Sequence, residues 1–408
     1  MSKKKEFLFI CLYSDIKKNY TVNGLIIDEL SKKLKRINIL VVDNLLLFRK
    51  KKNIKINYKK YSYYPANTHF IVPKNSKDFM LKIKKDYYVS FANLGKYLRY
   101  FKIHYLIKKK NIRLVNFSNI GFLPENENFI NIKIWNYFFD LFNRKIIFGI
   151  FKILFMISIF QRVDVRFISN VSYQKYSLKS LSGKLNKFFK TRIFDYYDKY
   201  IKVNARIFDK SRIEKKTAIS EKYITFVDTN LEHVTKVEYE GRHDKKIKKE
   251  FYLRLNTFLK KIEKAFNKKV IVCVHPNYSL NYSNNMYKNF KSVKWKTDYF
   301  IRKAFIYVGF SSSTIVDAIF LRKRVICLDS VLMGKHHQFT NNNYPSAVGI
   351  LKYSLDHDNA IDKKKLLKDL NNRIKYYDRY IKNKIVVDKN NIGVEKISKY
   401  LKKNYNLI

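Results

Sequence analysis

The sequence predicts an α/β fold built from two parallel-sheet domains, on three observations. Short continuous apolar runs alternate with longer stretches whose apolar residues recur at helical spacing, the pattern of strand, crossover helix and strand. The chain has 408 residues, beyond the roughly 250–300 at which a single core stops growing, so two domains are expected. The alternation also lapses over residues 191–223, which are charged and irregular, and resumes after them. That stretch is the expected interdomain connection.

The first half opens with an apolar run, Phe7 to Tyr13. The lysines before it give a superficial likeness to a signal peptide, but the run is short and passes into Ser14-Asp15 without a small-residue cleavage site, so it reads as the first strand. A polar loop leads to a helix over 23–36, where Leu25, Ile26, Leu30 and Leu34 share one face, and residues 37–42 form the next strand. Arg113 to Phe117 is a further strand, and the loop after it runs to Pro124. Loops at strand C-termini are where α/β sheets hold ligands. Residues 146–160, IIFGIFKILFMISIF, are the most apolar segment but include Lys152 and lie between Arg144-Lys145 and Arg162. They fall short of the ~20 residues a spanning helix needs, so they read as a buried or surface-docking helix whose basic flanks suit an anionic inner leaflet.

In the second half, strands are expected over 223–227, 270–274, 305–309 and 325–329, and helices over 246–266 and 313–322. Helices over 363–382 and 394–401 close the chain. The domain boundaries read as 1–215, 216–385, and a closing C-terminal helix within 386–408.

Composition narrows the function classes. Hydrophobic residues make up 46% of the chain, with 10 Gly and 5 Pro, which excludes a disordered or fibrous protein. Lys and Arg number 85 against 33 Asp and Glu, a net charge of +52. The basic residues are spread along the whole length, with short runs at Lys3 to Lys5, Arg49 to Lys52 and Lys108 to Lys110. Neither a helix-turn-helix nor an aromatic RNA-binding signature accompanies them, so nucleic acid is not the expected partner. Abundant Lys, Asn, Ile, Tyr and Phe together are the bias of an AT-rich genome, and the remaining excess favours anionic lipid and phosphate-bearing ligands. Cys11, Cys273 and Cys327 each lie inside an apolar run without metal or redox spacing, which fits a reducing cytoplasm.

Two constellations carry chemistry. An apolar strand ending at Val274 delivers His275 to its tip, and Pro276 ends the ladder there. Such a histidine can donate to a phosphate oxygen as imidazolium, or act as acid toward a departing phosphate. The second strand turns through Gly309-Phe310 into Ser311-Ser312-Ser313-Thr314. These hydroxyls are placed to cap a helix beginning near Thr314, where free backbone N–H groups and the helix dipole favour an anion. Alone, either could be a plain loop or a plain cap. In order, at the C-terminal ends of parallel strands of one domain, they describe a phosphate site.

The base for such a site is a carboxylate. Asp228 ends an apolar strand, as a rigidly held base should; Glu240, Asp244 and, from the first domain, Asp15 are the other candidates. No GxxxxGK[ST] or GxGxxG loop occurs, and the adjacent His336-His337 lack metal-ligand spacing, so no metal or cofactor is expected. Lys335 to His337 is a candidate donor contact instead.

Residues 190–400 resemble the nucleotide-binding domain of bacterial GT-B glycosyltransferases of surface polysaccharide synthesis, of the capsule, lipopolysaccharide and O-antigen kind. The likeness rests on His275-Pro276 and Ser311-Ser312-Ser313, with Phe226-Val227-Asp228, Phe194-Asp195-Tyr196 and Asp317, and the His-Pro and Ser-Ser pair is similar to motifs of bacterial sialyltransferases. The resemblance implies two Rossmann-like domains facing a cleft, the first on the acceptor side and the second holding a nucleotide-sugar. His275, Pro276 and Ser311 to Ser313, flanked by Gly309 and Thr314, would then hold the phosphate and ribose of a CMP-linked sugar, a substrate and not a cofactor. The acidic motif that supplies the base in those enzymes has its nearest counterpart in Tyr239-Glu240-Gly241, with tyrosine where one acid stands. The implied activity is a metal-independent, inverting transfer of a sialic or related acidic sugar to a glycan or glycolipid, at the inner face of the plasma membrane. Two other classes stay open: a CDP-polyol phosphotransferase of teichoic-acid type, which also uses histidine and serine on phosphates, and a basic nucleic-acid-binding protein.

Overall fold

The computed structural model describes residues 5–13, 16–46, 56–57, 61–84, 88–92, 101–118, 163–169, 197–213, 220–229, 245–276, 278–333, 341, 344–357 and 360–407. They divide into two compact units. The first holds the described residues up to Lys210 and from Val386 on; the second holds those from Ser211 to Ile385.

The first unit is built on a seven-stranded sheet of β1 (Glu6–Cys11), β2 (Ile37–Val41), β3 (Thr68–Ile71), β4 (Tyr88–Ala92), β5 (Arg113–Ser118), β6 (Val163–Ile168) and β7 (Tyr197–Lys202). Their order is β3-β2-β1-β4-β5-β6-β7, and every pair is parallel. With α1 (Ile16–Ser31), α2 (Ser76–Lys82), α3 (Phe101–Lys109) and α4 (Arg206–Ile213), they give a doubly wound layer structure. The central strands are largely apolar because both faces are covered. Phe7, Phe9, Ile39 and Val41 pack with Ile26, Ile27 and Leu30 of α1. Leu8, Ile10 and Leu40 pack on the other face with Phe79, Ile103, Leu106 and Ile107.

Two sequence readings are corrected here. Helix α1 starts at Ile16 instead of Asn23, because Ile16 is fully buried and the polar residues of its first half find partners on the helix itself. The Tyr20 hydroxyl donates to Asp28 at 2.9 Å, and Asn23 donates to Asn19 at 2.8 Å. The stretch over 191–223 does hold the boundary between the two units, after Lys210, but it is not irregular: it contains β7 and α4. As the outermost strand β7 carries charges in place of an apolar run, which is how edge strands avoid pairing with other chains and why this one looked irregular.

The second unit holds a six-stranded sheet of β8 (Tyr223–Val227), β9 (Val270–Cys273), β10 (Lys291–Val293), β11 (Ala304–Gly309), β12 (Arg324–Asp329) and β13 (Leu351–Ser354), in the order β10-β9-β8-β11-β12-β13. All its pairs are parallel. Its helices are α5 (Lys245–Phe266), α6 (Leu280–Met286), α7 (Thr297–Arg302), α8 (Thr314–Phe320), α9 (Lys363–Ile374) and α10 (Tyr377–Tyr380). Leu255, Phe258, Leu259 and Ile262 of α5 cover Phe226, Val272, Ile306 and Val308. In both sheets the strand order reverses once, between β1 and β4 and between β8 and β11, and such switch points are where doubly wound folds bind ligands. All three cysteines are buried, and burial pushes the Cys273 and Cys327 thiols up to about 12.

After Ile385 the chain returns to the first unit and ends in α11 (Gly393–Tyr405). Two buried side chains next to β7 fasten it. Asn204 donates to the carbonyls of Asp388 and Asn391 at 2.8 and 2.7 Å and accepts the amides of Val387 and Asp388. Asp209 accepts the Gly393 and Val394 amides, each at 2.8 Å, and so caps the helix. The approach is close enough that a Cβ on Gly393 would stand 2.8 Å from the Asp209 carboxylate. Val394, Ile397 and Leu401 then enter the core with Phe7 and Phe9. No helix among the described residues is long and apolar enough to cross a membrane; residues 146–160 lie outside them.

Burial raises the Asp209 carboxyl to about 6, against the pull of its two amide donors. The folded protein therefore keeps this proton up to a higher pH than the unfolded chain does. The proton-linked stability is complete below about pH 4 and is lost as the pH rises through about 6. Asp209→Ala is expected to lose about 1–2 kcal/mol in urea unfolding at pH 5, and to flatten the dependence between those pH values. An unchanged midpoint would mean that α11 docks without its cap.

Candidate functional site

The register of the second sheet assembles the site. Val227 of β8 lies opposite both Cys273 of β9 and Gly309 of β11, and Gly309 lies opposite Cys327 of β12. Parallel strands in one register advance together by ~3.3 Å per residue. Asp228, Val274-His275 and Phe310-Ser311 therefore leave the sheet at the same edge, beside the last residues of β12. The Asp228 amide still donates to the Cys273 carbonyl at 3.0 Å, closing the β8–β9 ladder.

His275 is half-buried at the tip of β9. Its carbonyl accepts the Tyr278 amide at 3.0 Å, which draws Tyr278 back to the strand tip. The imidazole stands edge-on to the Tyr278 ring with centroids 6.3 Å apart. Lys294, one residue past β10, donates its ammonium to the Tyr278 carbonyl at 2.6 Å. A cation thus accompanies the histidine, and its only trace in the sequence is its place just after a strand.

The Gly309 to Thr314 turn is held from below and from the side. The Tyr307 hydroxyl shares a hydrogen bond of 2.8 Å with Thr314 Oγ1, and a Cβ on Gly309 would stand 2.9 Å from that hydroxyl. Glycine is required by this close approach. The Ser311 amide donates to Oδ1 of Asn341 at 2.8 Å, and Asn341, fully buried, donates to the Leu328 carbonyl at 3.0 Å. Asn341 stands far from the motif in sequence, with no local signal to mark it.

The serines differ from expectation in one respect. Ser313 occupies the N-cap position of α8 with helical dihedrals and makes no capping bond. Ser312 Oγ instead stands 3.4 Å from the Thr314 amide and 3.1 Å from Thr314 Oγ1. The amides of Ile315 and Val316 donate to the Ser312 and Ser313 carbonyls at 3.0 and 3.2 Å. The start of this short helix therefore closes on itself from Thr314 to Val316. Ser311 Oγ is buried and has no partner among the described residues.

Asp228 stands at the switch point, but only 3% exposed, with both carboxylate oxygens shut off from solvent. The Tyr287 hydroxyl lies against it. Burial, and then the Asp228 charge, push the ionisation of Tyr287 well above the ordinary tyrosine range. Phe226 and Tyr252 enclose the pair, each ring 5.7 Å from that of Tyr287. The strand end was readable in the sequence; the burial, made by a helix-end residue far along the chain, was not.

A further carboxylate steadies the loop after β12. Burial alone would raise the Asp356 carboxyl, but the Ser330 hydroxyl, the Val331 amide and the Arg254 guanidinium outweigh it and hold it below the usual range. Asp317, on the first turn of α8, is buried. Asp15, Phe194 to Tyr196, Glu240, Asp244 and Lys335 to His337 lie outside the described residues.

Because Asn341 serves two buried backbone groups, Asn341→Ala is expected to cost roughly 2 kcal/mol or more in chemical unfolding. A loss below about 0.5 kcal/mol would show that the turn holds its shape without the tie to β12.

No protein-family model matches the chain, and no curated protein matches it by sequence. Solved structures do match it in shape. Arabidopsis thaliana UGT89C1 complexed with UDP-L-rhamnose superposes with a TM-score of 0.50 at 9% identity, covering 100% of both chains. The wall teichoic acid polymerase TagF soaked with CDPG gives 0.54 at 13% identity, over 98% of this chain and 88% of that one. A Listeria monocytogenes protein named as a UDP-N-acetylglucosamine 2-epimerase gives 0.50 at 10% identity, over 99% of this chain and 97% of that one. With the two parallel sheets, these likenesses show the two-Rossmann-domain GT-B fold.

Proposed function

We propose that the chain is a glycosyltransferase that moves a sugar from a nucleotide-linked donor to a glycan or glycolipid acceptor. One observation carries this reading: at one edge of a doubly wound sheet, beside its switch point, the tips of β10, β9 and β11 bring a lysine, an imidazole and a hydroxyl-rich turn. There, the more exposed Ser312 and Ser313 donate to the donor's phosphate oxygens. His275 donates as imidazolium while charge builds on the leaving phosphate, and Lys294 adds a second cation at the same edge. These groups supply the neutralisation that the transfer needs, so it is proposed to run without a metal.

Asp228 has a different part from the one its strand position suggested. A base must touch the acceptor hydroxyl, and both oxygens of Asp228 are buried beside Tyr287. Asp228 is therefore proposed as a positioning residue that acts through Tyr287. The base is assigned to Glu240 or Asp244, in the segment joining β8 to α5, and transfer then inverts the configuration. A CMP-linked sialic or related acidic sugar is the proposed donor, on the His-Pro and Ser-Ser likeness. The apolar segment 146–160 with its basic flanks, and the net charge of +52, support peripheral contact with the anionic cytoplasmic face of the plasma membrane.

The second reading is transfer of a phosphate-linked polyol from a CDP-polyol, favoured by the likeness to TagF, whose structure was soaked with CDPG. Either donor makes CMP the expected nucleotide. In a thermal-shift comparison of CMP, UDP, GDP and ADP, CMP is expected to stabilise selectively, by roughly 2.7 kcal/mol at a hundred times its Kd, and His275→Ala to abolish that gain. Turnover of CMP-sialic acid against CDP-glycerol then separates the two, since only the second leaves phosphate in the product. No stabilisation by any of the four nucleotides would overturn both.

A further inference from the structure

We propose that the outer face of α5, where it meets the end of α6, is a binding site for an extended acidic glycan. It is distinct from the strand tips. A groove of about 500 Å³ runs there, lined by Lys249, Lys260 and Lys288 together with Asn256, Asn285 and Asn289.

The helix makes this face by its period. Leu255, Phe258, Leu259 and Ile262 enter the core, while Lys249, Leu253, Lys260 and Lys264 stand exposed on the other side. The two acidic residues of α5 do not neutralise the stripe. Glu250 binds Arg254 at 2.7 Å, and Glu263 accepts the Val270 amide at 2.9 Å. Lys249, Lys260 and Lys288 have no carboxylate partner among the described residues. Asn256 donates to the Met286 carbonyl at 2.9 Å, tying the end of α6 to α5. Below lies Tyr252, packed on Tyr287, which is only 1% exposed and seals the groove from Asp228.

The lining selects the ligand. Carboxamides and the Thr257 hydroxyl match sugar hydroxyls, and the ammonium groups match carboxylates or phosphates. Lys249 and Lys260 are separated by about 16 Å along the helix axis, so a ligand that meets both is a chain and not a single sugar or a free phosphate. A bilayer fits less well, because the lysines line a concavity and Leu253 is its one strongly exposed apolar residue. Single-stranded RNA needs exposed rings for its bases, and Tyr252 is buried. An acidic chain held here would be kept at high effective concentration beside the strand tips.

Fluorescence anisotropy of labelled oligogalacturonate with the full chain tests the site. Lys249→Ala/Lys260→Ala/Lys288→Ala is expected to weaken binding by about tenfold, the sum of three exposed charge contacts. Lys363→Ala/Lys364→Ala/Lys365→Ala removes the same charge from the exposed start of α9 and is expected to change it by less than about twofold. Neutral dextran should not bind. Equal losses in the two variants would overturn the proposal, as would tighter binding to phosphatidylglycerol vesicles or to RNA of matched charge. The nucleotide-induced thermal shift is expected to survive in the groove variant, so this site and the transferase reading fail separately.

Discussion

The shared register of Val227 with Cys273 and Gly309 is the constraint on which the rest of the site depends. A parallel sheet has no hairpins, so each strand must be reached by a crossover, and the crossovers on the two sides of β8 and β11 leave in opposite directions. The tips between them stay uncovered. Were β11 to slip by one residue, Ile306 and Val308 would leave the core they share with α5, and Tyr307 would turn away from Thr314. The same apolar alternation that stabilises the sheet thus decides which hydroxyls reach its edge. Packing and function are set by one register.

That constraint also fixes the partners of the turn's backbone. Asn341 takes the Ser311 amide, and the first amides of α8 close on the serine carbonyls behind them. Hydroxyl, imidazole and ammonium groups stand at this edge, and their donors rotate. The buried carboxylate of Asp228 is walled off from solvent beside Tyr287. The arrangement depends on long-range ties more than on the helix dipole.

These ties are the part of the molecule the sequence does not spell out. Central strands such as β1, β8 and β11 are apolar on both faces and read directly as runs, and because site residues follow the runs, His275 and Ser311 could be placed at strand ends. Strand β7 is polar because it is an edge, so its composition imitated a linker. The early start of α1 was hidden by Tyr20, Asn19 and Asn23, polar residues that satisfy one another on the helix. Asn341, Tyr287 and Lys294 carry no local pattern; each matters only through a neighbour brought to it by a crossover. Burial of Asp228 is a property of the tertiary packing and could not be read from its position after Val227.

The path of the chain has a consequence for how the protein forms. The second unit uses one continuous stretch of described residues, whereas the first is unfinished until α11 arrives from the end of the sequence. Val394, Ile397 and Leu401 complete the core around Phe7 and Phe9, and Asn204 and Asp209 have their buried polar groups satisfied only by residues 387–394. Leaving such groups unpaired is costly, so the first unit cannot reach its final packing during synthesis of residues 1–385. The second can. The later part of the sequence is therefore free to close without waiting for α11.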